Sequence, residues 1–254
     1  MSGDDGVSLL STIPADRPRR VSPTEAADVL ATRDPVLADL IAAAGPIRIC
    51  RRTGSHFTGL VEAIVYQQLA GAAARAIHAR LVAALDDDVV PEALLALSEE
   101  TLRAVGLSSN KVRSLHDLAT RVLDGTVVLS PHELSRESDE EVVARLSTVR
   151  GIGPWTAQMF LMFRLRRLDV WPVADFGVRQ GYGLAWKVPT PTARELEPLG
   201  EPYRPYRTVA AWYCWRAVDL FSGADDSALA PMRLALARMH SPNGHDHQQS
   251  GATP

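Results

Sequence analysis

Apolar residues recur at helical spacing along most of the chain. Phe57, Leu60, Val61, Ile64 and Val65 form one stripe, continuing to Leu69, and the Ala-rich run from Ala70 to Leu85 predicts a further helix. Ser22-Pro23-Thr24-Glu25 predicts a helix start, with Ser22 as cap and Glu25 three residues on. Asp34-Pro35 opens a second helix that runs to Ala44 and ends at Gly45-Pro46, and Ile47 to Arg51 reads as a short extended piece. Pro91–Leu97 and Ser98–Val105 predict short helices. Val105-Gly106-Leu107-Ser108-Ser109-Asn110-Lys111 then leads into a helix to Val122, with Ser108 or Ser109 as cap. Gly125 to Ser130 reads as a crossing loop. Further helices are predicted over Glu140–Leu146 (capped by Asp139), Trp155–Leu165, Phe176–Leu184, Thr192–Glu197, Thr208–Arg216 and Leu229–Met239. No strand-rich region or repeat stands out, so the class is all-α.

A chain of 254 residues fits one large domain or two small ones, and its 46% hydrophobic content can fill a core. No apolar run approaches membrane-spanning length, and Met1–Gly6 carries acids where a signal peptide carries basic residues, so the expected location is cytoplasmic, away from membranes. Residues 1–21 lack periodicity and read as a tail, in which Arg17, Arg19 and Arg20 are expected to be solvated, the other reading being a brush against DNA. Residues 241–254 read as a second tail, and its His245-x-His247 is read the same way. Cys50 and Cys214 are too few for a disulfide framework or a four-cysteine iron–sulfur site. The net charge of −3 speaks mildly against nucleic-acid binding, yet helix N-termini and local Arg residues can supply phosphate contacts. Lys occurs only at Lys111 and Lys187. A cation in the first turn of the helix after Ser108 opposes the macrodipole, so Lys111 needs a phosphate or a carboxylate as partner.

One stretch concentrates turn chemistry: Val149-Arg150-Gly151-Ile152-Gly153-Pro154-Trp155-Thr156-Ala157, followed by Trp171-Pro172-Val173-Ala174-Asp175. Gly151 and Gly153 flank a turn that reads as too tight for side chains, and Pro154 suits a first helical turn. Two helices joined by such a hairpin expose backbone N–H groups that attract phosphate; the same residues would also make an ordinary corner between helices. Asp175, between a Pro-containing loop and a helical stretch, is well placed as an N-cap.

A helix–hairpin–helix, a Gly/Pro-rich loop and then an Asp make the chain resemble the helix–hairpin–helix (HhH-GPD) superfamily of DNA glycosylases. Within it the chain most resembles the 3-methyladenine DNA glycosylase II branch. The resemblance covers residues 25 to 222 and adds two further matches, Gly106-Leu107-Ser108-x-x-Lys111 and the aromatic helix around Trp212-Tyr213-Cys214-Trp215. It implies a domain over residues 22–240 built as two α-helical subdomains with an active-site cleft between them. Its partner would be double-stranded DNA carrying alkylated bases, bound by a monomer. The chain looks like the compact version of the family.

The resemblance also implies roles. Asp175 would stabilise the oxocarbenium-like sugar and orient the attacking water. Ala174 departs from the acid often found before that Asp. Trp155, Trp215, Met159 and Tyr66 would line the base pocket, where aromatic faces hold electron-poor purines. Gln67 and Gln68 would sit at the minor groove, Gln68 filling the gap left by a flipped base; alternatively both only cap helices. Ser108, Lys111, Gly151, Gly153 and Thr156 would contact the DNA backbone, and the carbonyls of Ser147, Val149 and Ile152 would hold a sodium or potassium ion. The slot of the Schiff-base lysine in the superfamily's lyases is Trp155 here, which implies base removal without strand cleavage. No other cofactor is implied. The rival readings are a non-catalytic helix–hairpin–helix DNA-binding module, a glycosylase for another base such as uracil, and a plain α-helical interaction protein.

Overall fold

The computed structural model describes residues 21–49 and 53–221, and these are helical without a strand among them. The helices are α1 (Pro23–Arg33), α2 (Pro35–Ala44), α3 (His56–Tyr66), α4 (Gly71–Ala84), α5 (Pro91–Ala96), α6 (Glu99–Ala104), α7 (Ser109–Leu123), α8 (Pro131–Leu134), α9 (Asp139–Leu146), α10 (Pro154–Phe163), α11 (Phe176–Trp186), α12 (Ala193–Leu199) and α13 (Arg207–Phe221). A single 3-10 turn, Glu201–Tyr203, precedes α13. The tail residues 1–20 and 241–254, the helix predicted over Leu229–Met239, His245-x-His247 and Cys50 lie outside the described residues.

Capping explains most of the starts. Ser22 and Glu25 form the predicted capping box of α1, Asp34 caps α2 through Val36 and Leu37, and Thr192 with Glu195 boxes α12. At α9 the prediction is corrected: Ser138 is the cap and Asp139 the first helical residue. The Ser138 hydroxyl accepts from the Glu141 N–H while the Glu141 carboxylate accepts from the Ser138 N–H, a reciprocal pair that Asp139 lies one residue too late to make. Helix α3 stops at Tyr66, short of Leu69, and the short helix α8 follows the crossing loop. Ile47 to Ile49 joins no sheet.

Two groups of helices result. In one, α13 is buried nearly all round, packs on α11 and α2, and touches α1, so the N-terminal pair joins the C-terminal helices. In the other, α3 packs on α4, α7 and α10, α7 packs on α5 and α6, and α9 packs on α10. A continuous cluster of buried side chains runs through both groups. Asp34 ties the first group together: besides capping α2 it accepts the Trp186 indole N–H at 3.1 Å and the Tyr203 hydroxyl at 2.8 Å.

The α11–α13 contact is close enough to exclude a side chain. A Cβ on Gly181 would stand 1.8 Å from the carbonyl oxygen of Cys214. Backbone cannot yield as a flexible side chain can, so Gly181→Ala forces the two helices apart. We expect a loss of about 1–3 kcal/mol or more, which lowers the thermal unfolding midpoint by several degrees in a calorimetric scan. A midpoint equal to that of the unmodified protein would show that α11 and α13 do not meet this closely.

Candidate active site

Asp175 stands at the start of α11 and is 5% exposed. The main chain before it turns back on itself, with the Asp175 N–H donating to the Pro172 carbonyl at 2.9 Å. As predicted, the side chain caps α11: Oδ1 accepts from the Val178 N–H at 2.9 Å. Its other donors are indoles. Trp215 Nε1 donates to Oδ1 at 2.9 Å and Trp155 Nε1 donates to Oδ2 at 2.6 Å. Trp155 belongs to α10 and Trp215 to α13, so one carboxylate joins the two helix groups.

The two tryptophans differ in access. Trp215 is 2% exposed and lies 5.8 Å, centroid to centroid, from Phe163; its ring is enclosed in the core. Trp155 is 37% exposed, with its indole N–H on the carboxylate. Tyr66 and Met159 are half-buried at the edge of the core, Tyr66 with its ring 5.8 Å from that of His78. The neighbouring Cys214 thiol is fully buried. Burial, and after it the charges of Asp175 and Asp34, push its pKa far above the ordinary thiol value, so it stays protonated and inert.

The hairpin between α9 and α10 forms a second centre. The Ile152 N–H donates to the Val149 carbonyl at 3.0 Å, closing a turn whose third residue, Gly151, has φ +77°. That left-handed value favours glycine, and a Cβ there would also stand 2.5 Å from Ser114 Oγ. Gly153 is different: its φ is −92° and a Cβ would meet nothing within 4 Å. Thus only Gly151 is needed for the turn itself. Gly153 leaves open space at the start of α10, whose cap makes no side-chain hydrogen bond.

The other residues expected at the DNA surface fall into two classes. Ser108 and Gln68 are exposed; Ser108 caps α7 by accepting from the Lys111 N–H at 3.3 Å. Thr156, Gln67 and Lys111 are engaged within the protein. Thr156 is buried, and its hydroxyl takes the Gln67 side-chain amide at 3.5 Å, while the same amide donates to the Gly151 carbonyl at 2.8 Å. The Lys111 ammonium donates to the Val65 and Gln67 carbonyls at the end of α3, at 2.5 and 2.9 Å. Partial burial lowers its pKa.

Two supports of the hairpin went unread in the sequence. Asp117 accepts the Arg150 N–H at 2.7 Å, and Ser114 packs under Gly151. Their one sequence signal is that two polar residues three apart fall on α7 where its face turns toward the hairpin.

The chain as a whole is similar to known DNA-3-methyladenine glycosylases. Over 164 residues the chain is 36% identical to DNA-3-methyladenine glycosylase 1 of Schizosaccharomyces pombe, covering 63% of this chain and 72% of that protein. The solved 3-methyladenine DNA glycosylase of the same yeast, in complex with abasic DNA, superposes with a TM-score of 0.69 at 31% identity, covering 80% of this chain and all of that one. The DNA-3-methyladenine glycosidase structure from Bacillus halodurans gives a TM-score of 0.71 at 32% identity, covering 77% and 90%. Residues 61–205 match the HhH-GPD superfamily of base excision DNA repair proteins, and the chain belongs to that family.

Proposed function

We propose that this protein is a monofunctional DNA glycosylase that hydrolyses the N-glycosidic bond of alkylated bases, of the 3-methyladenine and 7-methylguanine type, in double-stranded DNA. The observation that carries the reading is the enclosed Asp175 carboxylate, with three N–H donors fixing both of its oxygens beside the part-exposed Trp155. The named activities of its relatives support the substrate class.

In the reaction the bond from C1′ to the base nitrogen breaks and its electron pair leaves with the base. A base already carrying positive charge departs neutral, so no general acid is required. Asp175 faces the developing cation at C1′ and aligns the water whose oxygen forms the new bond. The departing proton of that water passes to the carboxylate or to solvent. Trp155, part-exposed beside the carboxylate, is the stacking platform for the electron-poor base, whereas enclosed Trp215 holds the carboxylate in place. Trp155 also occupies the lyase slot, where it offers no amine for a Schiff base. The protein works as a monomer.

Backbone contact falls to the start of α10, where the open space at Gly153 admits a phosphate to exposed N–H groups. The carbonyls of Ser147, Val149 and Ile152 would hold a monovalent cation there. The Val149 oxygen already accepts one N–H but keeps a second lone pair, and the buried Ser147 hydroxyl has no hydrogen-bond partner among the described residues. Such an ion would supply charge for a phosphate and take no part in bond cleavage. Gln68, exposed beside the hairpin, would fill the space left by an extruded nucleotide.

Two variants test this reading. Asp175→Asn keeps the cap of α11 but turns an NH2 toward one of two indole N–H donors, which costs stability of about 1–3 kcal/mol. Chromatographic assay of base release from methylated DNA should show excision falling by orders of magnitude, while abasic DNA is still bound. Near-normal release would remove Asp175 from the mechanism. Gly153→Val, a poorer N-cap by about 1 kcal/mol, should keep its helical circular dichroism. It should bind abasic and undamaged DNA several-fold more weakly, because a phosphate grip carries no base information. Unchanged affinity in the folded variant would reduce the hairpin to a corner between helices.

A further inference from the structure

The four residues that link α3 to α4 form an unusual turn. The Leu69 N–H donates to the Tyr66 carbonyl at 3.4 Å, so Gln67 and Gln68 are its two central residues. Gln67 has φ −53° and ψ 133°, and Gln68 has φ +56°. These are the dihedrals of a type II turn, whose third position normally belongs to glycine. Flipping the central peptide would convert it to a type I turn, which a glutamine adopts without strain. Something must hold that peptide in the disfavoured orientation.

Lys111 is the group in contact with it. From the first turn of α7 its ammonium reaches the Gln67 carbonyl, the central peptide oxygen of the turn, and the Val65 carbonyl beside it. These carbonyls belong to the C-terminal end of α3, where backbone oxygens lack intrahelical donors and the helix dipole is negative. The same contact accounts for a cation at the unfavourable end of α7. The Gln67 side chain is held separately by the hairpin through the Gly151 carbonyl. With backbone and neighbour both fixed, the one exposed side chain of the pair, Gln68, has a set direction.

We propose that Lys111 is a positioning residue: by holding the Gln67–Gln68 peptide in the type II orientation it aims Gln68 at the space a flipped nucleotide vacates. The proposal rests on the glycosylase reading, in which Gln68 approaches DNA. It assigns Lys111 an internal role in place of a phosphate contact.

Lys111→Met keeps the length of the side chain and removes its donors. In the isotopically labelled variant, NMR should show the strong contact between Gln67 Hα and the Gln68 N–H, diagnostic of a type II turn, replaced by one between the two N–H protons. Excision of an alkylated base from a paired duplex should fall about tenfold or more, and much less from single-stranded DNA, where no gap has to be filled. The salt dependence of duplex binding should be unchanged, whereas loss of a phosphate contact would flatten the log–log slope by about 0.9. An intact type II signature, equal losses on paired and single strands, or a flattened slope would each overturn the proposal. If Lys111→Met unfolds, adding Gln68→Gly should restore the fold, since glycine tolerates the left-handed φ unaided; failure to restore it would mean that Lys111 matters for stability alone. A wild-type protein that releases no alkylated base would refute the glycosylase reading and leave the NMR result to decide on Lys111.

Discussion

A buried carboxylate must be satisfied by donors, and at Asp175 the donors come from three separate parts of the chain. Val178 supplies a backbone N–H from the helix that Asp175 itself caps, Trp155 supplies an indole from the hairpin helix, and Trp215 supplies another from the central helix. Hydrogen bonds to a charged acceptor contribute about 1.5–3 kcal/mol each, and leaving one unmade costs as much again. The carboxylate therefore fixes how the two helix groups meet. The same geometry sets the carboxylate beside a part-exposed indole, so the interaction that joins the groups also sets up the chemistry proposed for the site.

Two tight turns are joined by the hydrogen bond from Gln67 to Gly151, and they reach a left-handed residue by different means. At the hairpin, Gly151 takes φ +77° with no Cβ to object. At the α3–α4 link, Gln68 takes φ +56° against a steric cost of about 1–2 kcal/mol, offset by contacts elsewhere. The Gln67 amide ties the first turn to the second through the Gly151 carbonyl. A glycine would have served the α3–α4 turn with less strain, but it would have brought no side chain to the surface.

What the sequence disclosed depended on how local the cause was. Helices α1, α2, α11 and α12 announce themselves through caps three residues long, and the hairpin through Gly and Pro. Where two adjacent residues can both cap, as at Ser138 and Asp139, only the partner at Glu141 decides, and the prediction missed by one. Asp175 was legible as a cap, and the structure shows it capping α11; its indole donors, 20 and 40 residues away, were not legible. Lys111 was visible as a misfit with its own helix dipole, yet its carbonyl partners lie 44 and 46 residues back, beyond any local pattern. Asp34 makes the limit plain: it too is an Asp cap that accepts an indole N–H, and only the surroundings distinguish a structural carboxylate from one beside an open platform.

Several arginines spend their donors within the protein. The guanidinium of Arg164 donates to the carbonyls of Thr53, Gly54 and Ser55; that of Arg207 grips Asp169, which also pairs with Arg204; and Arg145 pairs with Glu137. On a chain of net charge −3, the arginines paired with carboxylates in this way project little positive field. On DNA, weak long-range attraction would shorten each visit. A search under that constraint would proceed by frequent dissociation and rebinding, with little sliding. If the protein extrudes bases as proposed, time on the duplex would be governed by whether a base yields, and selectivity would begin in the dwell time, before any bond is broken.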